Sequence, residues 1–200
     1  MGNNDIRKPI QKRSIETKEK IIEAGFELIC EKGYYNTNTA EIAKAANVST
    51  GIVYQYFKDK HDILIESLHT FGNSIFYPMI RISEKDFSKN DLDTILKNMI
   101  KKFIKNHKVS HSAHKEIMSM VHSDDTVAEI YHNSEIEMTK KLTQVFVDNG
   151  IKTSHLEEKV HITINLIDDL CHEVVYHKHD SMNYDIMIDI VVDVIKNLLK

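Results

Sequence analysis

The chain has 200 residues, 42% of them apolar and 28% charged, and carries a net charge of −4. Such a length and composition suit a globular chain with one sizeable core or two small ones, and exclude the fibrous and disordered classes. No apolar run reaches the ~18 residues of a membrane span, no signal-like stretch opens the sequence, and Cys30 and Cys171 match no zinc or redox spacing, so a cytoplasmic protein with buried thiols is expected.

Two prolines and six glycines leave few breakers, which predicts an all-α protein. Charge divides unevenly. Residues 1–60 hold 10 Lys/Arg against 8 Asp/Glu, residues 61–200 hold 16 against 22, and all twelve histidines fall at or beyond position 61. A mildly basic head and an acidic, His-rich body suggest two tasks in one chain. Residues 1–13 lack an apolar period and read as a flexible basic arm. From Ser14 the pattern turns helical, with Ile22, Phe26 and Ile29 on one stripe and Gly33 as the expected C-cap. Asn38 and Glu41 have capping-box spacing at the head of a short helix that ends near Ala46. Asn47 tolerates a left-handed backbone, and Ser49 offers a hydroxyl cap to a second short helix over 50–57. Two turns of helix do not stand alone in water, so Val53 and Phe57 are expected to anchor it. A short helix, a tight turn and another short helix make a helix-turn-helix.

Beyond Lys58 the helices lengthen. A linking helix is expected to end or kink near Pro78. Residues 88–106, 110–121 and 125–148 show helical apolar spacing, and Gly150 marks a stop. Ser154 and Glu157 have capping-box spacing before a helix whose Leu156, Val160, Thr163, Ile167, Leu170 and Val174 form a narrow apolar seam. In the last helix, 183–200, Asp185, Asp189, Asp193, Lys196 and Lys200 form one polar stripe and nearly everything else is apolar. A helix so apolar needs cover on most of its circumference, and a second copy of the chain is the simplest source.

Residues 24–64, AGFELICEKGYYNTNTAEIAKAANVSTGIVYQYFKDKHDIL, resemble the N-terminal domain of the TetR family of transcriptional regulators, with EKGY, TAEIAKAA, VSTG and YQYFKDK all in register. The resemblance implies a helix-turn-helix DNA-binding domain over 14–60 and a helical ligand-binding and dimerisation domain over 61–200. It implies phosphate contacts from Thr39, Tyr54, Tyr56 and Lys60, and base contacts from Thr50, Gly51, Ile52 and Gln55. Ser49, Thr50, Gly51, Ile52, Gln55 and the tips of Tyr54 and Tyr56 are the parts of the second helix free of packing duty. Gln pairs with adenine through two hydrogen bonds, and Thr50 or Ile52 suits a thymine methyl. DNA affinity depends on local phosphate neutralisation, so a net negative chain does not forbid it. The resemblance further implies a homodimer paired through 153–178 and 183–200, and release from operator DNA by a small-molecule inducer.

For that inducer the candidates are Phe103, His107, Met118, His122, Asn165, Asp169, His172 and Tyr176. Phe71, Phe76, Met99, Met120 and Tyr131 join Phe103 and Met118 as apolar candidates for a pocket wall, and for all seven the helical spacing favours plain core over ligand contact. Asn165, Asp169, His172 and Tyr176 share a stripe that serves either as a solvated face or as a set of orienting groups. His107, His111 and His114 share a helical face, but no Cys or Glu motif accompanies them, so no metal and no cofactor are expected. Asp168, Asp169 and His172 alone hint at catalysis; with no phosphate loop or nucleophile elbow, an enzyme is not expected. The reading is a ligand-responsive transcriptional repressor, with a helical protein-interaction adaptor as the alternative.

Overall fold

The computed structural model describes the backbone of residues 11–76, 91–109 and 111–200, and the side chains of 11–71, 91–105 and 115–200. Within these residues every regular element is a helix: α1 (Lys12–Lys32), α2 (Thr39–Ala45), α3 (Thr50–Tyr56), α4 (Lys60–Phe76), α5 (Leu92–Val109), α6 (His111–Val121), α7 (Asp125–Asp148), α8 (Leu156–Tyr176) and α9 (Tyr184–Leu198). The expected break at Pro78, Phe76 as a core residue and the His107, His111 and His114 face lie outside the described side chains, as do residues 1–10 of the expected arm. Its remainder is not irregular, because α1 begins at Lys12, two residues before the apolar period becomes visible.

The chain packs as two compact units, one from residues 1–75 and 112–131, the other from 76–111 and 132–200. The first therefore reaches past residue 60 to include most of α4, nearly all of α6 and the first turns of α7. Its core gathers Ile21 and Ile22 of α1, Ile42 and Ala43 of α2, Val53 and Tyr56 of α3, and Phe57 and Ile63. α1 and α4 approach closely at Gly25, where an added Cβ would lie 2.5 Å from Cγ2 of Ile63. Only glycine admits that contact.

In the second unit α5 packs on α8, and α9 packs on both. The α8 seam is buried at Val160, Thr163, Ile167 and Leu170. Asn149 and Gly150 close α7 as expected: Gly150 has a φ of 84°, its N–H donates to Val147, and the Ile151 N–H donates to Phe146. This is a Schellman ending, with glycine in the left-handed position.

One expectation fails here. The Ser154–Glu157 box does not form. His155, with a φ of 56°, stands directly before α8 and no side chain caps the helix. The left-handed residue turns the chain after Ser154, so the serine sits one position too early; Glu157 and Glu158 instead face the positive end of the helix dipole. The polar stripe of α9 meets α5: Lys97 of α5 pairs with Asp189 at 2.8 Å, and Lys196 pairs with Asp93 of α5 at 3.0 Å. The apolar residues Ile186, Ile190 and Val194, one turn apart, are left 55%, 56% and 44% exposed in the single chain.

A candidate nucleic-acid interface

The turn between α2 and α3 is built from local hydrogen bonds. Asn38 accepts the Glu41 N–H at 3.0 Å and starts α2. At its end Asn47 takes a φ of 55°, its N–H donates to Lys44, and the Val48 N–H donates to Ala43. That is again a Schellman pattern, with asparagine in glycine's place and Val48 packed on the core. Ser49 then accepts the Ile52 N–H at 3.3 Å and opens α3. Seven residues make a helix of roughly 10 Å, and tertiary packing holds it: Val53, Tyr56 and Phe57 are buried.

The outward face is clear. Ser49, Gly51, Tyr54 and Gln55 are exposed, Tyr54 at 46%, and Thr50 is half-buried. Gly51 has no structural reason to be glycine. Its backbone is helical, and an added Cβ would meet only Oγ of Ser49, at 3.8 Å. Glycine inside a helix costs about 0.5–1 kcal/mol relative to alanine, so the fold itself gains nothing from the missing side chain.

Three of the expected contact residues stand elsewhere. Tyr56 is only 6% exposed, and its hydroxyl lies 2.8 Å from Oγ of Ser14. It braces α3 against α1 and does not reach outward as Tyr54 does. Ile52, expected at a base, is half-buried and packs on the core cluster. Lys60 donates to the carbonyls of Tyr34 at 2.6 Å and Thr37 at 2.9 Å, with its ammonium 4.3 Å from the centre of the Tyr34 ring. Two of its three donors thus hold the loop that precedes α2. Thr39 is half-buried at the first position of α2.

That loop is gripped from several sides. Thr37 is buried, and its hydroxyl donates to Gly33 at 2.9 Å. Glu116 of α6 accepts the Tyr34 N–H. Asp124, in the α6–α7 turn, accepts from His61 at 2.8 Å and caps α7 through the N–H groups of Thr126 and Val127. Burial alone would raise the Asp124 carboxyl, but the Val127 N–H, His61 and the Thr126 N–H together hold it below the ordinary value. Sequence reading missed Ser14, Glu116 and Asp124, whose partners lie 42, 82 and 63 positions away.

The inducer candidates are divided. Met118, half-buried, and His122, exposed, belong to the first unit. Phe103, Asn165, Asp169, His172 and Tyr176 belong to the second, where Phe103 is buried, His172 and Tyr176 are half-buried, and Asn165 and Asp169 are exposed. Asp168, not Asp169, shares the inner face with His172, at 3.8 Å. Among the described residues one group, Asp59, His61 and Asp62, has metal-ligand proximity. Asp59 caps the head of α4 through the N–H groups of His61 and Asp62, which accounts for the grouping without an ion.

A model of bacterial regulatory proteins of the tetR family matches residues 21–66. The HTH-type transcriptional regulator HbdR of Aromatoleum sp. (strain CIB) is 51% identical over 53 residues, which are 26% of this chain and only 23% of that protein. The fatty acid metabolism regulator protein of Bacillus subtilis (strain 168) is 26% identical over 157 residues, 72% of this chain and 73% of its own length. In architecture the chain resembles a crystal structure from Mesorhizobium loti MAFF303099 assigned to TetR-family regulators, with a TM-score of 0.72 at 16% identity over 94% of this chain and 98% of that one. A likeness at that identity speaks for the fold.

Proposed function

Because residues 21–66 match a model of bacterial regulatory proteins of the tetR family, we propose that this chain is a transcriptional regulator of that family, a ligand-responsive repressor that binds an operator as a homodimer in the cytoplasm. α3 of each copy enters a major groove, with Thr50, Gly51 and Gln55 at base edges and Ser49 beside them. Thr39 and Tyr54 contact phosphates; Tyr56 and Lys60 hold the reading helix and its neighbouring loop in place. One observation carries the reading: a helix braced on one face presents Gly51, Tyr54 and Gln55 on the other, with a glycine its own fold does not need.

The exposed Ile186, Ile190 and Val194 row on α9, with the exposed Ile162 on α8, supports pairing through 153–178 and 183–200. Domain roles then follow the expected division, operator reading in 14–60 and ligand sensing with dimerisation in 61–200. The half-buried His172 and Tyr176, with Phe103, are the favoured inducer contacts. The Glu116–Tyr34 and Asp124–His61 bonds suggest how the segment 112–131 bears on the reader.

The test is a binding titration of the pure protein on DNA from its own promoter region at several salt concentrations. A specific complex whose log K falls linearly with log salt is expected, and Tyr54→Ala should weaken it across all sequences. Equal binding to random DNA would remove the repressor reading.

A further inference from the structure

The helix-turn-helix of α2 and α3 runs from Thr39 to Tyr56, between the loop 33–38 and the head of α4. Lys60 ties these two flanks together through the carbonyls of Tyr34 and Thr37. A distant segment of the same unit, 112–131, also reaches both flanks. On the entry side Glu116 of α6 accepts the Tyr34 N–H. A Cβ added at Gly33 would stand 3.3 Å from each carboxylate oxygen of Glu116, so the acid lies directly against this loop. On the exit side Oδ2 of Asp124 accepts from Nε2 of His61, the neighbour of Lys60, at 2.8 Å. The other oxygen of Asp124 caps α7 through the Thr126 and Val127 N–H groups, each at 3.0 Å, which fixes the carboxyl in place.

Hydrogen bonds to base edges demand placement to within roughly 0.5 Å. A helix of seven residues does not hold itself, let alone its orientation. Its buried side chains anchor one face, and the two flanks decide how that face is turned. Bonds to a carboxylate are shorter and stronger than bonds between neutral groups, so they suit the task. We propose that Glu116 and Asp124, two acids from outside the helix-turn-helix, are positioning residues for operator binding: Glu116 holds its entry loop and Asp124 its exit. This role rests on the reading of α3 as the helix that enters the groove, and adds to it the groups that hold that helix in register.

The test uses three variants of the full chain. Glu116→Ala removes the acceptor, Glu116→Gln keeps an acceptor oxygen, and His61→Ala removes the partner of Asp124 while leaving its cap of α7 intact. Each is titrated with duplex DNA of its own promoter region at several salt concentrations, well below its unfolding midpoint, and amide exchange at Tyr34 is followed without DNA. Glu116→Ala should bind about tenfold more weakly with an unchanged salt slope, because no phosphate contact is lost. Its Tyr34 N–H should exchange faster, and Glu116→Gln should restore both quantities to near wild type. His61→Ala should also weaken binding at unchanged slope, and it carries the test if Glu116→Ala fails to fold. Wild-type affinity in Glu116→Ala or in His61→Ala, no rescue by Glu116→Gln, or a reduced salt slope would each overturn the positioning role. A wild type that binds no DNA specifically removes the operator reading itself, whereas a wild type that binds alongside unaffected variants removes only the role of the two acids.

Discussion

The pair α2 and α3 and the pair α8 and α9 are both helical, yet they place their polar groups differently. Around α2 and α3 the polar side chains bond backbone groups: Asn38 and Ser49 cap helices, Thr37 bonds Gly33, and Lys60 bonds two carbonyls of one loop. On α8 and α9 a carboxyl, an imidazole and a phenol sit half-buried together, while isoleucines face outward. The lesson is that the face proposed to fit one invariant shape, the DNA duplex, is held rigid by satisfied caps. The face proposed for pairing with a second copy is instead apolar and exposed, at Ile186, Ile190 and Val194.

The largest effect is expected where the reader's rigidity originates. Phe57→Ala, at a fully buried position, should lower unfolding free energy by about 3–5 kcal/mol in denaturant titration and take DNA binding with it. A loss below 1 kcal/mol would mean that α3 is not held by this core. Next comes Lys60→Met. If Lys60 braces the loop, the substitution should cost about 2–3 kcal/mol, because two carbonyls lose a charged donor. A variant of unchanged stability with a reduced salt slope would instead make Lys60 a phosphate contact alone.

In the body the sharpest contrast is with pH. Asp168 titrates at about 7 in the folded chain, above the ordinary value near 4 of an unfolded aspartate. Between those values the folded state holds a proton that the unfolded state releases, so this contribution is full below about pH 4 and is lost as pH rises toward 7. Asp168→Asn should remove that decline and be the more stable protein at pH 8, by on the order of 2 kcal/mol after screening by the remaining solvent exposure. Parallel denaturation midpoints of both proteins at pH 5 and pH 8 would contradict it.

The smallest stability effect is the most diagnostic of function. Gly51→Ala should stabilise the protein by about 0.5–1 kcal/mol, since the fold has room for the methyl group. It should nevertheless weaken operator binding tenfold or more. Both quantities moving in the same direction would show that nothing approaches α3 at this residue.

Legibility followed sequence distance. The reader's turn could be read because its determinants are local: Asn38 to Glu41, Asn47 alone, Ser49 to Ile52. The inward turn of Tyr56 toward Ser14 and the grip of Glu116 on Tyr34 could not, because helix periodicity says which face is apolar and not which distant group meets it. The same gap explains α9. Its polar stripe was visible as a stripe, but Lys97 and Asp93, which turn part of it toward α5, lie far upstream, Asp93 by 103 residues from its partner Lys196. At α8 the miss was local: a left-handed histidine, which no spacing rule anticipates, displaced the expected serine cap.

The central claim, that α3 reads operator DNA in a symmetric pair, is tested most directly by selection from randomised duplexes with the wild type and Gln55→Ala side by side. The account predicts that the wild type enriches a palindrome with half-sites about 34–36 Å apart or a multiple of that, and that Gln55→Ala changes the preferred base at one position in each half-site while leaving the spacing intact. Enrichment of no sequence by the wild type, or an identical palindrome from both proteins, would contradict it.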